Sequence, residues 1–147
     1  MMRSIKQYAC LGGFCWGMFF LLCSTTGMAQ SASLKSSIEK GKTVYVQRCM
    51  VCHQQDGGGV PHLNPPLDGA SSVKGKDKSR LISIILKGMT DRVEIDGEYY
   101  SNNMASHADL NDQQIADVLN YIRNNWSNKV PTPVTTAEVK SVRAKTK

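Results

Sequence analysis

Cys49, Cys52 and His53 stand together in the run Cys49-Met50-Val51-Cys52-His53, and their types and spacing specify a chemistry. Each thiol can add to one vinyl group of a porphyrin and form a thioether. A two-residue spacer on a helical turn sets the sulfurs at about the separation of the two vinyls. The next histidine is then placed to give a ring nitrogen to the iron, which is the pattern of covalent haem c attachment. With five cysteines and three histidines in 147 residues, shuffling yields this pattern in roughly three cases per thousand. Two rivals use the same cysteine pair. A thioredoxin-like dithiol opens a helix after a strand, and no βαβ pattern surrounds this one. Half of a zinc site needs a second pair of ligands, and neither His62 nor His107 has a cysteine nearby.

Iron that carries electrons takes two axial ligands, and a sulfur ligand raises its potential. With His53 as one, the candidates for the other are Met89, Met104, His62 and His107. Met89 follows directly on an apolar helix and reads as core. Met104 stands in the polar run Ser101-Asn102-Asn103-Met104-Ala105-Ser106, where no packing role is evident, and a ligand role is favoured, with His107 next. His62, in a glycine- and proline-rich loop, reads as a surface residue.

Three helices must position these groups. The first is predicted over about Ser36–Cys49, with Ile38, Gly41, Tyr45 and Arg48/Cys49 on one stripe. The second covers about Lys78–Lys87, almost continuously apolar from Leu81 to Leu86 and ended by Gly88. The third opens at Asn111 as N-cap, with Gln114 completing a capping box, and repeats Ile115, Val118, Leu119, Ile122 and Trp126 at helical spacing. Between the second and third, Asp91–Tyr100 alternates Val93 and Ile95 with polar residues before Asp96-Gly97, the pattern of a small hairpin or irregular loop. Beyond Pro131-Thr132-Pro133 a second capping box, Thr135 to Glu138, favours a short helix packed on the core, with a disordered tail as the alternative.

Residues 1–29 read as a targeting segment. Arg3 and Lys6 precede the apolar stretch Leu11–Cys23, and Gly27-Met28-Ala29 offers small residues for cleavage. An uncleaved anchor is the main rival, although the stretch is short for a span of about 20 residues; lipidation at Cys23 would follow a poorly suited Leu22. Cleavage removes Cys10, Cys15 and Cys23 and leaves only the haem-attachment pair. Residues 30–130 are then one domain, with 131–147 a basic extension. The net charge of +6 is concentrated at the ends: Arg3 and Lys6 in the leader, and Lys140, Arg143, Lys145 and Lys147 against Glu138 in the tail, leave the stretch between at +1. Nucleic-acid binding has little support from that distribution. Lys74, Lys76, Lys78 and Arg80 could steer an acidic redox partner, though a solvated loop and helix start is the simpler reading.

The chain resembles a class I monohaem cytochrome c over nearly all of residues 30–147, and in particular the small bacterial cytochromes and modules that serve periplasmic dehydrogenases. Gly41-Lys42-x-Val44-Tyr45 leading into C-x-x-C-H is similar to the family's first helix. Asp56-Gly57-Gly58-Gly59-Val60-Pro61 and Pro65-Pro66-Leu67-x-Gly69 resemble its glycine-rich loop and proline turn. Val93-x-Ile95-x-Gly97-x-x-Tyr100 followed by Met104 resembles its ligand loop, and Leu110 to Trp126 its last helix. The resemblance implies an all-α fold, three main helices around a covalently attached haem with a small hairpin or loop carrying the methionine. The first and last helices should cross, and the haem edge should be partly exposed. It implies Met104 as sulfur ligand and Pro65 as the residue whose carbonyl accepts the Nδ1–H of His53. One departure is Ala105, where the family usually has proline.

With two protein ligands the iron has no open position, so the expected function is one-electron transfer and not catalysis. The expected partners are a dehydrogenase or quinol-oxidising complex as donor and a terminal oxidase or reductase as acceptor, in the periplasm, with membrane contact only if the leader is retained. A bis-histidine, low-potential cytochrome using His107 and a sensor or peroxidase-like enzyme with a labile methionine are the alternatives.

Overall fold

The computed structural model describes residues 25–146, with side chains described over 32–146. Most of the expected leader, residues 1–24, lies outside the described residues. Among those described there are six helices and one two-stranded sheet. These are α1 (Thr25–Arg48), α2 (Met50–His53), α3 (Ser71–Lys74), α4 (Lys78–Lys87), β1 (Val93–Ile95), β2 (Glu98–Tyr100), α5 (Asp112–Asn124) and α6 (Thr136–Lys145). No described helix is long and apolar enough to cross a membrane.

Helix α1 begins earlier than the periodicity predicts and runs across the expected cleavage point after Ala29. It crosses α5, and the crossing is set by a glycine. A β-carbon on Gly41 would fall 2.0 Å from the carbonyl oxygen of Asp117 and 2.9 Å from Cβ of Tyr121, so no larger residue permits this approach. Around the crossing Tyr45, Tyr121 and Trp126 form a triangle of rings with centroids 5.3 to 5.8 Å apart. Edge-on pairs of this kind add about 0.5–1.5 kcal/mol beyond the area they bury.

Helix α5 has the capping box that Asn111 and Gln114 predict, and its apolar stripe is fully buried from Ile115 to Ile122. It ends at Asn124, so Trp126 is not on the helix. Its backbone instead takes φ of +51°, and its indole folds back over Gly57 and donates from Nε1 to the carbonyl of Gln55 at 3.0 Å. Helix α4 has the predicted bounds, with Leu81, Ile82, Ile85 and Leu86 buried. Each such side chain contributes about 1.5–3 kcal/mol of transfer free energy. Strands β1 and β2 make the predicted hairpin, with Val93 opposite Tyr100 and a turn at Asp96-Gly97. The Asp96 carboxylate reaches across to accept from the amide of Ser71 at 2.9 Å, capping α3.

Helix α6 forms as the second capping box predicts and is packed on the domain. Val139 is wholly buried, and the Asn120 side chain exchanges two hydrogen bonds with the backbone of Val134, at 2.9 and 2.7 Å. Lys78 bonds the carbonyl of Pro133 at 3.0 Å and pairs with Glu138. Within the basic cluster, then, Lys78 serves the fold.

Candidate functional site

Helix α1 delivers Cys49 to the site, and one further helical turn delivers the rest. The amide of Cys49 bonds the Tyr45 carbonyl at 2.9 Å, and the amide of His53 bonds the Cys49 carbonyl at 2.9 Å. The turn stops at Gln54, where φ becomes +63°. There the Tyr45 hydroxyl donates to the Gln54 carbonyl at 2.6 Å and fixes the exit of the chain. Burial lifts the Tyr45 hydroxyl far above its ordinary pKa, with nearby Cys49, Tyr121 and Asp56 adding to the effect, so it stays protonated as that donor.

Both thiols are free. Cys52 is exposed, whereas Cys49 is half-buried and packs against the core. Burial pushes the Cys49 thiol up to about 11, against an opposing pull from Arg48 and with some help from Cys52. No group of three or more His, Cys, Asp or Glu converges among the described residues, so the zinc reading finds no second pair of ligands.

His53 is buried, with its Nδ1 3.0 Å from the carbonyl oxygen of Pro65. Burial holds the imidazole below its ordinary pKa; the Pro65 carbonyl pulls the other way, and His107 adds to the lowering. A neutral ring with Nδ1–H bonded to a carbonyl leaves Nε2 as the nitrogen with a free lone pair, the tautomer a metal requires. The glycine-rich loop makes the contact possible. At Gly59, φ is +67° and an added β-carbon would lie 2.3 Å from the Asn64 carbonyl oxygen and 2.7 Å from that of Pro65. Gly59 thus holds open the space that the acceptor of His53 occupies. The spacing of the motif gave no sign of this role.

Met104 and Met89 lie on adjacent segments joined by two backbone hydrogen bonds, each 2.9 Å. Met104 is half-buried and packs against the core, and Met89 is also half-buried. The end of α4 forms a seat for the loop that carries Met104. A β-carbon on Gly88 would lie 2.3 Å from the Met104 carbonyl oxygen; Ser106 Oγ donates to Leu86 O at 2.6 Å, and the His107 amide donates to Ile85 O at 2.9 Å. These contacts hold the backbone around Ala105, the residue that departs from the proline the resemblance implies. On the other side, Asn102 bonds Leu63 and Asn64 at 3.0 and 2.8 Å, closing the loop onto the segment before Pro65. His62 is exposed, with its Nδ1 3.7 Å from Glu98, as its loop setting leads one to expect.

Two free thiols at C-x-x-C spacing and a neutral, carbonyl-anchored imidazole are the donor set that a covalent haem needs, and the residues present fit it. The model of the family described as "Cytochrome c" matches residues 38–126. The chain belongs to the cytochrome c family. Among its relatives is cytochrome c-552 of Thermus thermophilus, 38% identical over 135 residues that cover 87% of this chain and 85% of that protein. The cytochrome c subunit of the quinone alcohol dehydrogenase of Gluconacetobacter polyoxogenes is 37% identical over 82% of this chain, which spans 25% of that protein. The cytochrome c subunit of gluconate 2-dehydrogenase from Pantoea cypripedii is 36% identical over 71% of this chain, which spans 24% of it. The cytochrome is therefore a class I, haem-binding electron carrier, with Cys49 and Cys52 in the attachment positions for haem c. The mostly helical fold agrees with that class.

Proposed function

We propose that this cytochrome is an exported one-electron carrier with its iron held between His53 and Met104, accepting electrons from a periplasmic dehydrogenase or quinol-oxidising complex and passing them to a terminal oxidase or reductase. The observation that carries the reading is the pairing of His53 Nδ1 with the Pro65 carbonyl at 3.0 Å, which fixes the ring and strengthens its donation. Haem iron, when bound, supplies the chemistry by alternating between ferrous and ferric states. The chain's own residues hold the geometry between the two states. Cys49 and Cys52 tether the ring, Pro65 and Gly59 fix the imidazole, and the α4 seat fixes the Met104 loop. The similarity to dehydrogenase subunits supports a dehydrogenase as donor, and the basic and apolar run of residues 3–23, followed by Gly27-Met28-Ala29, supports export.

A visible spectrum recorded through a redox titration tests this directly. Sulfur ligation predicts a red-edge sulfur-to-iron band in the oxidised native protein and a positive midpoint potential. Absence of the band, with a potential well below zero, would instead support a second reading in which His107 is the ligand. That reading draws on the influence of His107 on the His53 imidazole. Rapid binding of carbon monoxide to the reduced native protein would sink both in favour of a sensor or peroxidase-like role.

A further inference from the structure

The loop is seated on α4 at Met104, Ser106 and His107; beyond that seat, residues 108–112 lead into α5 and are held by a side chain from α6. Arg143, on α6, places one guanidinium against three groups of this segment. Nε donates to Asp112 Oδ1 at 2.6 Å, Nη1 to the Ala108 carbonyl at 2.9 Å, and Nη2 to the Leu110 carbonyl at 2.6 Å. The Arg143 and Asp112 side chains are each 25% exposed, so the ion pair is partly shielded from water. A planar fork matched to a carboxylate and two carbonyls constrains position and direction together, which a lysine ammonium would not do. Helix α6 is itself fixed by buried Val139 and by the Asn120–Val134 bonds. It also lies beyond the residues matched to the family, 38–126.

We infer that Arg143 is a positioning residue for the sulfur ligand, with the C-terminal helix acting as a clamp that limits release of Met104 from the iron. The inference rests on the Met104 reading above. The chemistry is mechanical: for sulfur to leave, the Met104–His107 segment must shift on its α4 seat, and Arg143 restrains residues 108–112, which continue directly from that segment.

The test is the rate at which cyanide binds to the oxidised holoprotein, because cyanide must wait for the sulfur to leave. Arg143→Ala is expected to raise that rate about tenfold, the scale of losing charge-assisted hydrogen bonds, with partial recovery in Arg143→Lys. Asp112→Asn, which weakens the grip but keeps both carbonyl bonds, should fall between native and Arg143→Ala, and it serves if Arg143→Ala does not fold. Val73→Ala, at a buried position on α3 outside α6 and residues 108–112, should leave the cyanide rate within about twofold while lowering stability. A cyanide rate unchanged in both Arg143→Ala and Asp112→Asn overturns the inference, as does an equal rise in Val73→Ala. In either case an intact red-edge band in the native protein shows that the Met104 reading still stands; loss of that band in the native protein removes both.

Discussion

Gly59 stands where any side chain would displace the carbonyl oxygen of Pro65: a β-carbon there would come within 2.7 Å of the atom that lies 3.0 Å from His53 Nδ1. A backbone φ of +67° adds a conformational penalty for an L-residue of about 1–2 kcal/mol. Gly59→Ala is therefore expected to destabilise the oxidised protein by about 2 kcal/mol or more. It should also loosen the His53 hydrogen bond. A ring that donates less strongly favours the ferric state less, so the midpoint potential should rise. Chemical denaturation and a redox titration check the two effects. A stability loss with an unchanged potential would mean that the Pro65 carbonyl has followed His53 and the glycine serves only the turn.

The two thioethers are predicted to be unequal. Cys49 packs against the core, while Cys52 is exposed at the surface. Replacing either with alanine leaves haem attached through one sulfur, retained on a denaturing gel, and replacing both abolishes covalent retention. Cys49→Ala should cost more in stability than Cys52→Ala, by about 1–2 kcal/mol, because it also leaves a gap in packed surface. Equal denaturation midpoints for the two single variants would count against that asymmetry.

What the sequence made legible was local. The C-x-x-C-H turn, the bounds of α4, the two capping boxes and the Asp96-Gly97 hairpin are all decided by residues within a few positions of one another. What stayed hidden depends on distant partners. The four-residue α3 is capped by Asp96 from the hairpin turn, so nothing in Ser71–Lys74 itself announces it. Arg123 looks like an ordinary helical arginine, yet it is buried and donates from Nη1 to the carbonyls of Val73 and Gly75, with Nε left without a partner. Asn128 lies in an exposed-looking tail of polar residues, yet it is fully buried and ties Gly69, Leu67 and Ile122 together. At the site, the two thiols and the imidazole beside them were readable from spacing. The restraints on them, Gly59 under Pro65 and Gly88 under Met104, come from backbone approaches between segments that no periodicity encodes.

Met104 and His107 share one loop, with the His107 amide held on Ile85 O at 2.9 Å and its ring close enough to lower the His53 pKa. Met104→Ala should remove the red-edge band without leaving the iron high-spin, since His107 is the next donor along the loop. The double variant Met104→Ala/His107→Ala should then give a high-spin oxidised spectrum and bind carbon monoxide readily when reduced. A low-spin double variant would show that another residue supplies the replacement.

The α6 strap carries an acid-sensitive tie. Burial raises the Glu138 carboxyl, but the Lys78 ammonium and the amide and hydroxyl of Thr135 outweigh it and hold the group below its ordinary value of 4.5. A carboxylate depressed in the folded state contributes stability that is present above its unfolded pKa and lost as pH falls through its folded one. The Lys78 and Glu138 side chains are 21% and 38% exposed, so solvent screening reduces the tie to about 0.5–1 kcal/mol. Lys78→Gln should therefore destabilise the protein by that amount at about pH 7, and the difference from native should shrink as pH falls below 4.5 through the folded Glu138 pKa. Urea midpoints at about pH 7 and at a pH low enough to protonate Glu138 decide it. A difference of the same size at both would assign the contribution of Lys78 to its 3.0 Å bond with the Pro133 carbonyl, which does not titrate, and not to the ion pair.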